Sequence, residues 1–355
     1  MTEPGTTNDH VVPIMYLKRW GIPKAGSHQV MATPADQLEH AFPTSVRNVG
    51  SEKGFYWGET PDGVPHHDME DFLTHVESEA TPAFRSILDA GTRLTDDALP
   101  RRWPPRADVR LTLSWWLAAQ ILRTARQRLR LWNVAGEPLD APRSFRRANV
   151  HLEYIVRNVA PLAQIIYSRS WGIGLTSGCL LTSDVPVQVL NAQDDNDQLL
   201  AVSFWDLYVP LDPHRFLLLP GEGLRQRRDL RQDHRINLPG GLSLPLNDVV
   251  AETAHRHVFW HRDHDPRKAM NLTEVASIRR HRPRSGGSSV VLDYDTLDPR
   301  DGVERRWLES HVWDTATNGK REAAPRDPED MMHLLERLTG RLDTSRQRYE
   351  HLKDR

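Results

Sequence analysis

The side chains best suited to chemistry are carboxylates that lie far apart in the sequence. Glu70 and Glu77 are seven residues apart, so a helix would place them on the same face. Asp184 lies in Thr-Ser-Asp-Val-Pro (182–186), where a tight turn can hold a carboxylate at the end of a strand. Such carboxylates bind Mg²⁺ or Mn²⁺, and the cation lowers the pKa of a bound water. The pattern predicts a divalent-cation site with Glu77 and Asp184 as ligands.

A histidine and an arginine are suited to act beside such a cation. His10 precedes a predicted buried element and is a candidate general base or ligand. Arg123 and Arg126 are neighbours on a predicted buried helix, where an arginine needs an anion from the protein or from a ligand. These groups predict a metal-dependent hydrolase of a phosphate-containing substrate, nucleic acid being one candidate. The catalytic residues would be His10, Glu70, Glu77, Arg123 and Asp184.

Each of these residues also has a structural interpretation. Asp184 can close an Asx turn, acidic residues on one helix commonly form a solvated face, and His10 can be a hydrogen-bonded core residue. The same groups would then form a buried ion-pair network in a non-catalytic binding or accessory protein. The sequence contains no nucleophile elbow, no phosphate-binding glycine loop and no His-Glu-x-x-His motif that would decide between the two.

Basic residues give a second reason to consider an anionic partner, either a small molecule or a nucleic acid. The stretch 123–130 carries four arginines, and three more follow at Arg143, Arg146 and Arg147. Together they could form one cationic face, with neighbouring tryptophans for base stacking. Charged runs on helices are more often simply solvated. The net charge of -2 gives no reason from the whole chain to expect nucleic-acid binding.

Histidines and one cysteine are the remaining candidates for metal binding. The chain has 17 histidines, and two groups of them are closely spaced, at 255–257 and at 261–264. They resemble metal-ligand sequences, yet a chance cluster in a histidine-rich chain explains them equally simply. Cys179 is the only cysteine. We therefore expect no disulfide framework and no zinc site that uses a cysteine.

The elements that must position most of these groups are predicted to be helices in the first half of the chain. Apolar residues at three- and four-residue spacing predict a helix from Asp68 to about Leu88, interrupted at Pro82. The segment 106–134 is hydrophobic nearly all round at its centre, which predicts a buried central helix. A further helix is predicted over about 142–170.

Short apolar runs separated by turn residues replace this pattern between 171 and 219. The fold class predicted is α+β, with a mainly helical first half and a small mixed or antiparallel sheet in the second half. We expect a disordered N-terminus over 1–8, one domain over 9–300 and a C-terminal extension over 301–355 with an amphipathic helix.

Composition places the chain among ordinary globular proteins. Its 355 residues are 38% hydrophobic, enough for a sizeable core, and 46 basic residues nearly balance 48 acidic ones. No apolar run approaches the roughly 20 residues of a membrane-spanning helix, and residues 1–8 do not resemble a secretory signal. We expect a cytoplasmic protein with no membrane partner.

Several blocks of the sequence resemble, in the same order, the domain-of-unknown-function family 4238, an uncharacterised and mostly bacterial family. His10–Trp20 is similar to the opening His-Tyr-Val-Pro-x-x-Tyr-Leu-Arg-x-Phe, with valine and tryptophan at two aromatic positions. Gln120–Thr124 resembles the Gln-x-x-Arg-Thr of its central helix, and Thr182–Pro186 resembles its Thr-Ser-Asp-Asn-Pro turn. The resemblance covers about residues 9–261 and implies no activity, because the family has none assigned.

Overall fold

The computed structural model describes residues 7–89, 103–134, 145–189, 207–219, 233–238 and 240–281. The fold class is α+β, as predicted, but the predicted layout is wrong. Seven short strands, and one single-turn helix, precede the first long helix. The strands are β1 (Asn8–His10), β2 (Ile22–Lys24), β3 (Ser27–Pro34), β4 (Phe42–Ser45), β5 (Ser51–Lys53), β6 (Gly58–Glu59) and β7 (Pro65–His66), and the single-turn helix is α1 (Ile14–Leu17).

The shortness of most of these strands explains why a mainly helical first half was predicted. Six of the seven have only two to four residues, too few for an alternating pattern to stand out from a loop. Proline or glycine also occurs within four of them, β2, β4, β6 and β7, and these residues ordinarily mark turns. The pairings do not follow one rule: β2 and β4 pair with the neighbouring β3 and β6 pairs with β7, whereas β1 pairs with β5 and β3 also pairs with the distant β14.

Four long helices follow and form the centre of the molecule. They are α2 (Asp68–Leu88), α3 (Ala107–Leu122), α4 (Ala125–Val134) and α5 (Phe145–Ser168). The predicted buried central helix is confirmed, since every residue of α3 from Leu111 onward is buried. The helix predicted over 106–134 is in fact two, with a break at Arg123 and Thr124. Pro82 lies inside a continuous α2 rather than ending it.

The second half supplies seven more strands and two helices. They are β8 (Gly172–Thr176), β9 (Thr182–Ser183), β10 (Gln188–Val189), β11 (Leu207–Pro210), β12 (Arg215–Leu219), β13 (His234–Leu238), β14 (His257–Trp260), α6 (Ser243–Thr253) and α7 (Leu272–His281). The first large sheet has the order β10-β11-β12-β8-β13, and only the β13–β8 pair is parallel. This is the mixed sheet predicted for the second half.

The second large sheet joins the two halves of the chain. Its order is β2-β3-β14-β9, with β4 paired to β3, so the β3–β14 pair joins strands of the first half to strands of the second half. The main core lies where α3 packs against α2 and α5, and a smaller apolar cluster lies between the two large sheets and α6.

Some predicted features lie outside the described residues. The predicted boundary at 300 and the amphipathic helix of the extension 301–355 are among them. Asn8, predicted to belong to a disordered terminus, begins β1. Within the described part of the chain, no helix combines the length and the apolar character needed to cross a membrane.

Candidate functional site

The first pair of the site joins the N-terminal strand to the start of α2. Asp9 in β1 is 1% exposed, and its Oδ1 lies 2.9 Å from Nε2 of His67. Its Oδ2 accepts a hydrogen bond of 2.7 Å from the backbone N–H of Tyr56. His67 precedes the first residue of α2 and stacks on Trp57, with ring centroids 5.0 Å apart. Burial lowers the pKa of His67, but the hydrogen bond and charge of Asp9 outweigh it and raise the pKa above its ordinary value.

Glu70 lies beside this pair, in the first turn of α2. One possible ligand atom from each of Asp9, His67 and Glu70 lies within 4.8 Å of the other two. Burial raises the pKa of Glu70 to about 7, with the charge of Asp9 adding to the rise and that of Arg123 opposing it. Near neutral pH this side chain is therefore a mixture of acid and carboxylate, as suits a proton-transfer group or a metal ligand awaiting its ion.

Arg123 is the cation of the group. It follows α3 directly and is 1% exposed. Its Nη1 donates a hydrogen bond of 2.6 Å to Oε1 of Glu77, and its Nη2 donates to the carbonyl oxygen of His10. The guanidinium carbon lies 5.6 Å from the ring centroid of Tyr56, a cation–π distance. The break between α3 and α4 is what brings Arg123 to this position. Below, Asp9, His67, Glu70, Glu77 and Arg123 are called the carboxylate cluster.

His10 lies at the edge of the carboxylate cluster. Its ring Nε2 is buried and has no hydrogen-bond partner within the protein. Burial lowers the pKa of His10, with the charge of Glu77 opposing this and that of Arg123 reinforcing it. The imidazole is therefore neutral near pH 7, the state that a general base requires.

The carboxylate cluster holds more negative than positive formal charge. Asp9, Glu70 and Glu77 carry three carboxylates, and Arg123 supplies one guanidinium. When Glu70 is ionised and His67 is neutral, which is the form that would bind a cation, two negative charges remain uncompensated in a partly desolvated site. Such a site can take up protons, as the raised pKa of Glu70 shows, or it can bind a cation. A divalent ion would balance the charge.

Asp184 is hydrogen-bonded to backbone groups rather than to members of the carboxylate cluster. Its Oδ1 accepts a hydrogen bond of 2.8 Å from the backbone N–H of His255, and its Oδ2 accepts one of 2.6 Å from that of Arg256. The carboxylate thus ties the turn after β9 to the segment between α6 and β14. Of the metal-capable groups found in the described parts of the chain, none includes Glu77 or Asp184. The structure brings together His10, Glu70, Glu77 and Arg123, but it does not bring Asp184 to them.

The pairing of Asp9 with His67 could not be predicted from the sequence. Asp9 and His67 are separated by 58 residues and meet only because β1 lies against the start of α2. A signal existed on each side: Asp9 adjoins His10, and His67 lies three residues before Glu70. Neither signal indicates the other residue, so the pair could be found only from the fold.

A cleft of about 1080 Å³ is linked to the carboxylate cluster through Glu52, although no member of the cluster lines it. Strands β1 and β5 form an antiparallel pair in which Asp9 lies directly opposite Glu52. Directly opposite residues project from the same face of such a pair. Oε2 of Glu52 lies 2.8 Å from Nη2 of Arg256, a residue of the cleft wall. Three carboxylates also line the cleft, but most of its charged or titratable side chains are basic: Arg126, His255, Arg256, His257, Arg279 and Arg280.

Among the described residues, several arginines of the predicted basic face are buried rather than exposed. Arg128 and Arg147 are each 4% exposed, and their guanidinium carbons lie 3.4 Å from the ring centroid of Phe55 and 3.8 Å from that of Trp132. These arginines serve as core residues that stack on aromatic rings. Of the predicted set, Arg126 lines the cleft, and Arg143 lies outside the described residues.

Comparison with known proteins agrees with the resemblance found in the sequence. Residues 8–264 match the family described as protein of unknown function (DUF4238). The chain therefore belongs to this family. The matched region includes every member of the carboxylate cluster. No curated protein and no solved structure matches the chain.

Proposed function

We propose that this member of the DUF4238 family is a hydrolase of phosphate-containing substrates that uses a divalent cation held by Asp9, His67 and Glu70. The observation that carries the proposal is the convergence of three ligand-type side chains within 4.8 Å in a partly buried site that carries excess negative charge when Glu70 is ionised. This cation position replaces the one predicted between Glu77 and Asp184.

The ligand types favour Mn²⁺, with Mg²⁺ as the second choice. Two carboxylates and one imidazole suit Mn²⁺, because it accepts both oxygen and nitrogen ligands. Mg²⁺ prefers oxygen ligands and retains several waters, so His67 is a poor partner for it. Binding requires the carboxylate form of Glu70 and the neutral form of His67, so affinity should rise with pH.

The protein groups around the cation have distinct roles in this proposal. The bound cation would supply Lewis acidity and a more acidic water. Glu77 and Arg123 form the fixed support of the site, and Arg123 offsets part of its negative charge. Glu70, with a pKa near 7, is placed to accept or return a proton when it is not fully coordinated. His10 is the candidate base, because its ring is neutral and one ring nitrogen is unpartnered.

The neighbouring cleft supports an anionic substrate. Arginine side chains are suited to hold phosphate oxygens, and four of them line the cleft wall. One of the four, Arg256, pairs with Glu52, which lies opposite Asp9. A cleft of about 1080 Å³ accommodates a nucleotide or a short stretch of nucleic acid. We therefore propose a phosphate ester as the substrate class, with nucleic acid as one member of it.

The Arg123–Glu77 pair favours a second candidate function. It is buried on the Arg123 side and has a hydrogen-bond distance of 2.6 Å, as a purely structural pair would have. In that case the protein is a non-catalytic binding or accessory protein, and the network only orders α2 against α3. A structural network gives no reason for a metal response.

Hydrolysis assays test the proposal. The full chain, stripped with EDTA, is assayed with Mn²⁺ or Mg²⁺ on a phosphate monoester, a phosphodiester, a nucleotide triphosphate and single- and double-stranded nucleic acids. We expect Mn²⁺-dependent cleavage in at least one class. Glu70→Gln should lower kcat by at least about 100-fold, because it removes a charged ligand.

The matched control is Asp71→Asn, which removes an exposed carboxylate from the same helical turn and should leave activity unchanged. The absence of cleavage throughout the panel, or cleavage that EDTA does not affect, would contradict the proposal. Full activity of Glu70→Gln would contradict the assignment of the site.

We also propose that the protein works in the cytoplasm. The presence of a single cysteine supports this, because a chain that cannot form internal disulfides is at no disadvantage in a reducing compartment. Fractionation of cells that produce the full chain tests it.

A further inference from the structure

A second group of metal-capable side chains lies away from the carboxylate cluster, at the ends of three strand connections. Cys179 lies between β8 and β9, His214 lies in the turn between β11 and β12, and His264 follows β14. One possible ligand atom from each of the three lies within 4.8 Å of the other two. Below, Cys179, His214 and His264 are called the loop cluster.

The backbone around Cys179 is fixed by hydrogen bonds on both sides. The buried side chain of Asn247 donates to the carbonyl oxygen of Cys179 at 2.8 Å and accepts from the N–H of Leu181 at 2.8 Å. The N–H of Leu180 donates to the carbonyl oxygen of Pro213 at 2.8 Å, next to His214. The loop that carries the thiol is therefore held against the turn that carries the imidazole.

The two histidines are also held by their own connections. The N–H of His214 donates to Oδ1 of Asp212 at 2.9 Å, and Asp212 is in turn paired with Arg215 at 2.6 Å. The N–H of His264 donates to the carbonyl oxygen of His261 at 3.2 Å, which closes a tight turn. These bonds position the ligands without using their ring nitrogens, so the rings stay available for a metal.

We propose that the loop cluster binds one Zn²⁺ ion through the sulfur of Cys179 and one ring nitrogen each of His214 and His264. Thiolate and imidazole are the ligands that tetrahedral zinc prefers, at about 2.3 Å and about 2.0 Å. In such a tetrahedron ligand atoms lie roughly 3–4 Å apart, so small side-chain rotations suffice. The thiol loses its proton to solvent when the metal binds.

His261 lies beside the loop cluster and is the candidate fourth ligand. The ring of His261 lies 6.4 Å from that of His264, centroid to centroid, and the two rings are nearly parallel. His261 is partly buried, with 23% of its side chain exposed. It completes a Cys-His₃ set of the closed kind that structural zinc sites use.

Zinc at this position would join the two large sheets. His214 belongs to a turn of the first sheet and His264 follows a strand of the second, while Cys179 lies on the chain between them. The sequence-based expectation that no zinc site would use a cysteine rested on the cysteine count. A zinc site needs only one thiolate, however, when histidines from other loops supply the remaining ligands.

Cobalt substitution tests the proposal, because Co²⁺ replaces Zn²⁺ in such sites and thiolate ligation gives a charge-transfer absorption band. The full chain, reduced and stripped of metal, is titrated with Co²⁺ and then with Zn²⁺. We expect the band to saturate at one Co²⁺ per chain and to disappear as Zn²⁺ displaces it. Cys179→Ser should abolish the band.

His264→Ala serves as the second variant, because His264 is exposed and its loss should leave the fold intact. We expect it to weaken Zn²⁺ binding at least about tenfold. The matched control is His40→Ala, an exposed histidine at the end of a different loop, which should bind Zn²⁺ like the wild type. The absence of a thiolate–cobalt band, or equal Zn²⁺ affinity in His264→Ala and His40→Ala, would overturn the proposal.

Discussion

The carboxylate cluster and the loop cluster contain similar numbers of possible ligands but are built in opposite ways. The carboxylate cluster is charged and partly desolvated, and long helices and the N-terminal strand position it. The loop cluster contains no acid or arginine and lies among partly exposed connections. A charged, desolvated site costs folding free energy, whereas a neutral site costs little and contributes only when its metal binds. The two should therefore respond differently to the same kinds of change.

The largest change in stability is expected when Arg123 of the carboxylate cluster is replaced. Arg123→Met removes the arginine that pairs with Glu77, so a partly buried carboxylate loses this partner. We expect the free energy of unfolding to fall by about 3–5 kcal/mol at pH 7. Urea denaturation followed by circular dichroism measures the change. A decrease of less than about 1 kcal/mol in the free energy of unfolding would show that solvent already screens the charge of Glu77.

Removing a negative charge from the same cluster should have the opposite sign. Because the pKa of Glu70 is about 7 in the folded protein and near 4.5 when unfolded, the folded state binds this proton more tightly. Glu70 therefore makes folding progressively less favourable as pH rises from about 4.5 to about 7. We expect Glu70→Gln to raise the free energy of unfolding by up to about 3 kcal/mol at pH 8 and by less than about 1 kcal/mol at pH 5.

Urea titrations of the metal-free wild type and Glu70→Gln at both pH values check this prediction. A gain in stability that does not change with pH would refute the assigned cause. Asp71→Asn provides the control, since it removes an exposed charge and should show no such pH dependence.

Asp184 lies in neither cluster and should affect stability alone. Asp184→Ala leaves the backbone N–H groups of His255 and Arg256 without their acceptor. We expect a loss of about 2 kcal/mol in the free energy of unfolding. The Mn²⁺-induced shift of the melting temperature should remain as in the wild type. A lost Mn²⁺ response in a folded variant would return Asp184 to the metal site.

The smallest effect is expected in the loop cluster without metal. His264→Ala should change the free energy of unfolding of the metal-free protein by less than about 0.5 kcal/mol, because the side chain is exposed. With Zn²⁺ at about 100 times its Kd, the wild type should gain about 2.7 kcal/mol and the variant much less. Thermal unfolding with and without Zn²⁺ compares them, and an equal Zn²⁺ response in both proteins would contradict the assignment.

The features that could be predicted from the sequence are those that depend on local patterns. Helical spacing predicts the start of α2 at Asp68 and the burial of α3, because both depend on local patterns. Chemistry-based reasoning selects Glu70, Glu77 and Arg123 for the same reason, since each lies on such a helix. Most of the strands before α2 escape prediction because two to four residues are too few for an alternating pattern to stand out from a loop.

The remaining site residues depend on distant pairings. Asp184 resembles a metal ligand in its local sequence, but its acceptor role is set by backbone groups more than 70 residues later. Asp9 and His67 become a pair only when β1 meets α2. Cys179 and His214 likewise meet only through the packing of two strand connections. Local patterns identify candidates, and the fold decides which of them meet.

Calorimetric titration of Mn²⁺ into the metal-free full chain at pH 7 tests the central claim most directly. Repeating it in two buffers of different ionisation enthalpy reveals proton release. We predict one Mn²⁺ per chain with release of protons from Glu70 and His67, loss of binding in Glu70→Gln, and unchanged binding in Asp71→Asn and Cys179→Ser. Mn²⁺ binding of equal strength in wild type and Glu70→Gln, or no binding to the wild type, would contradict the claim that the carboxylate cluster is a metal site.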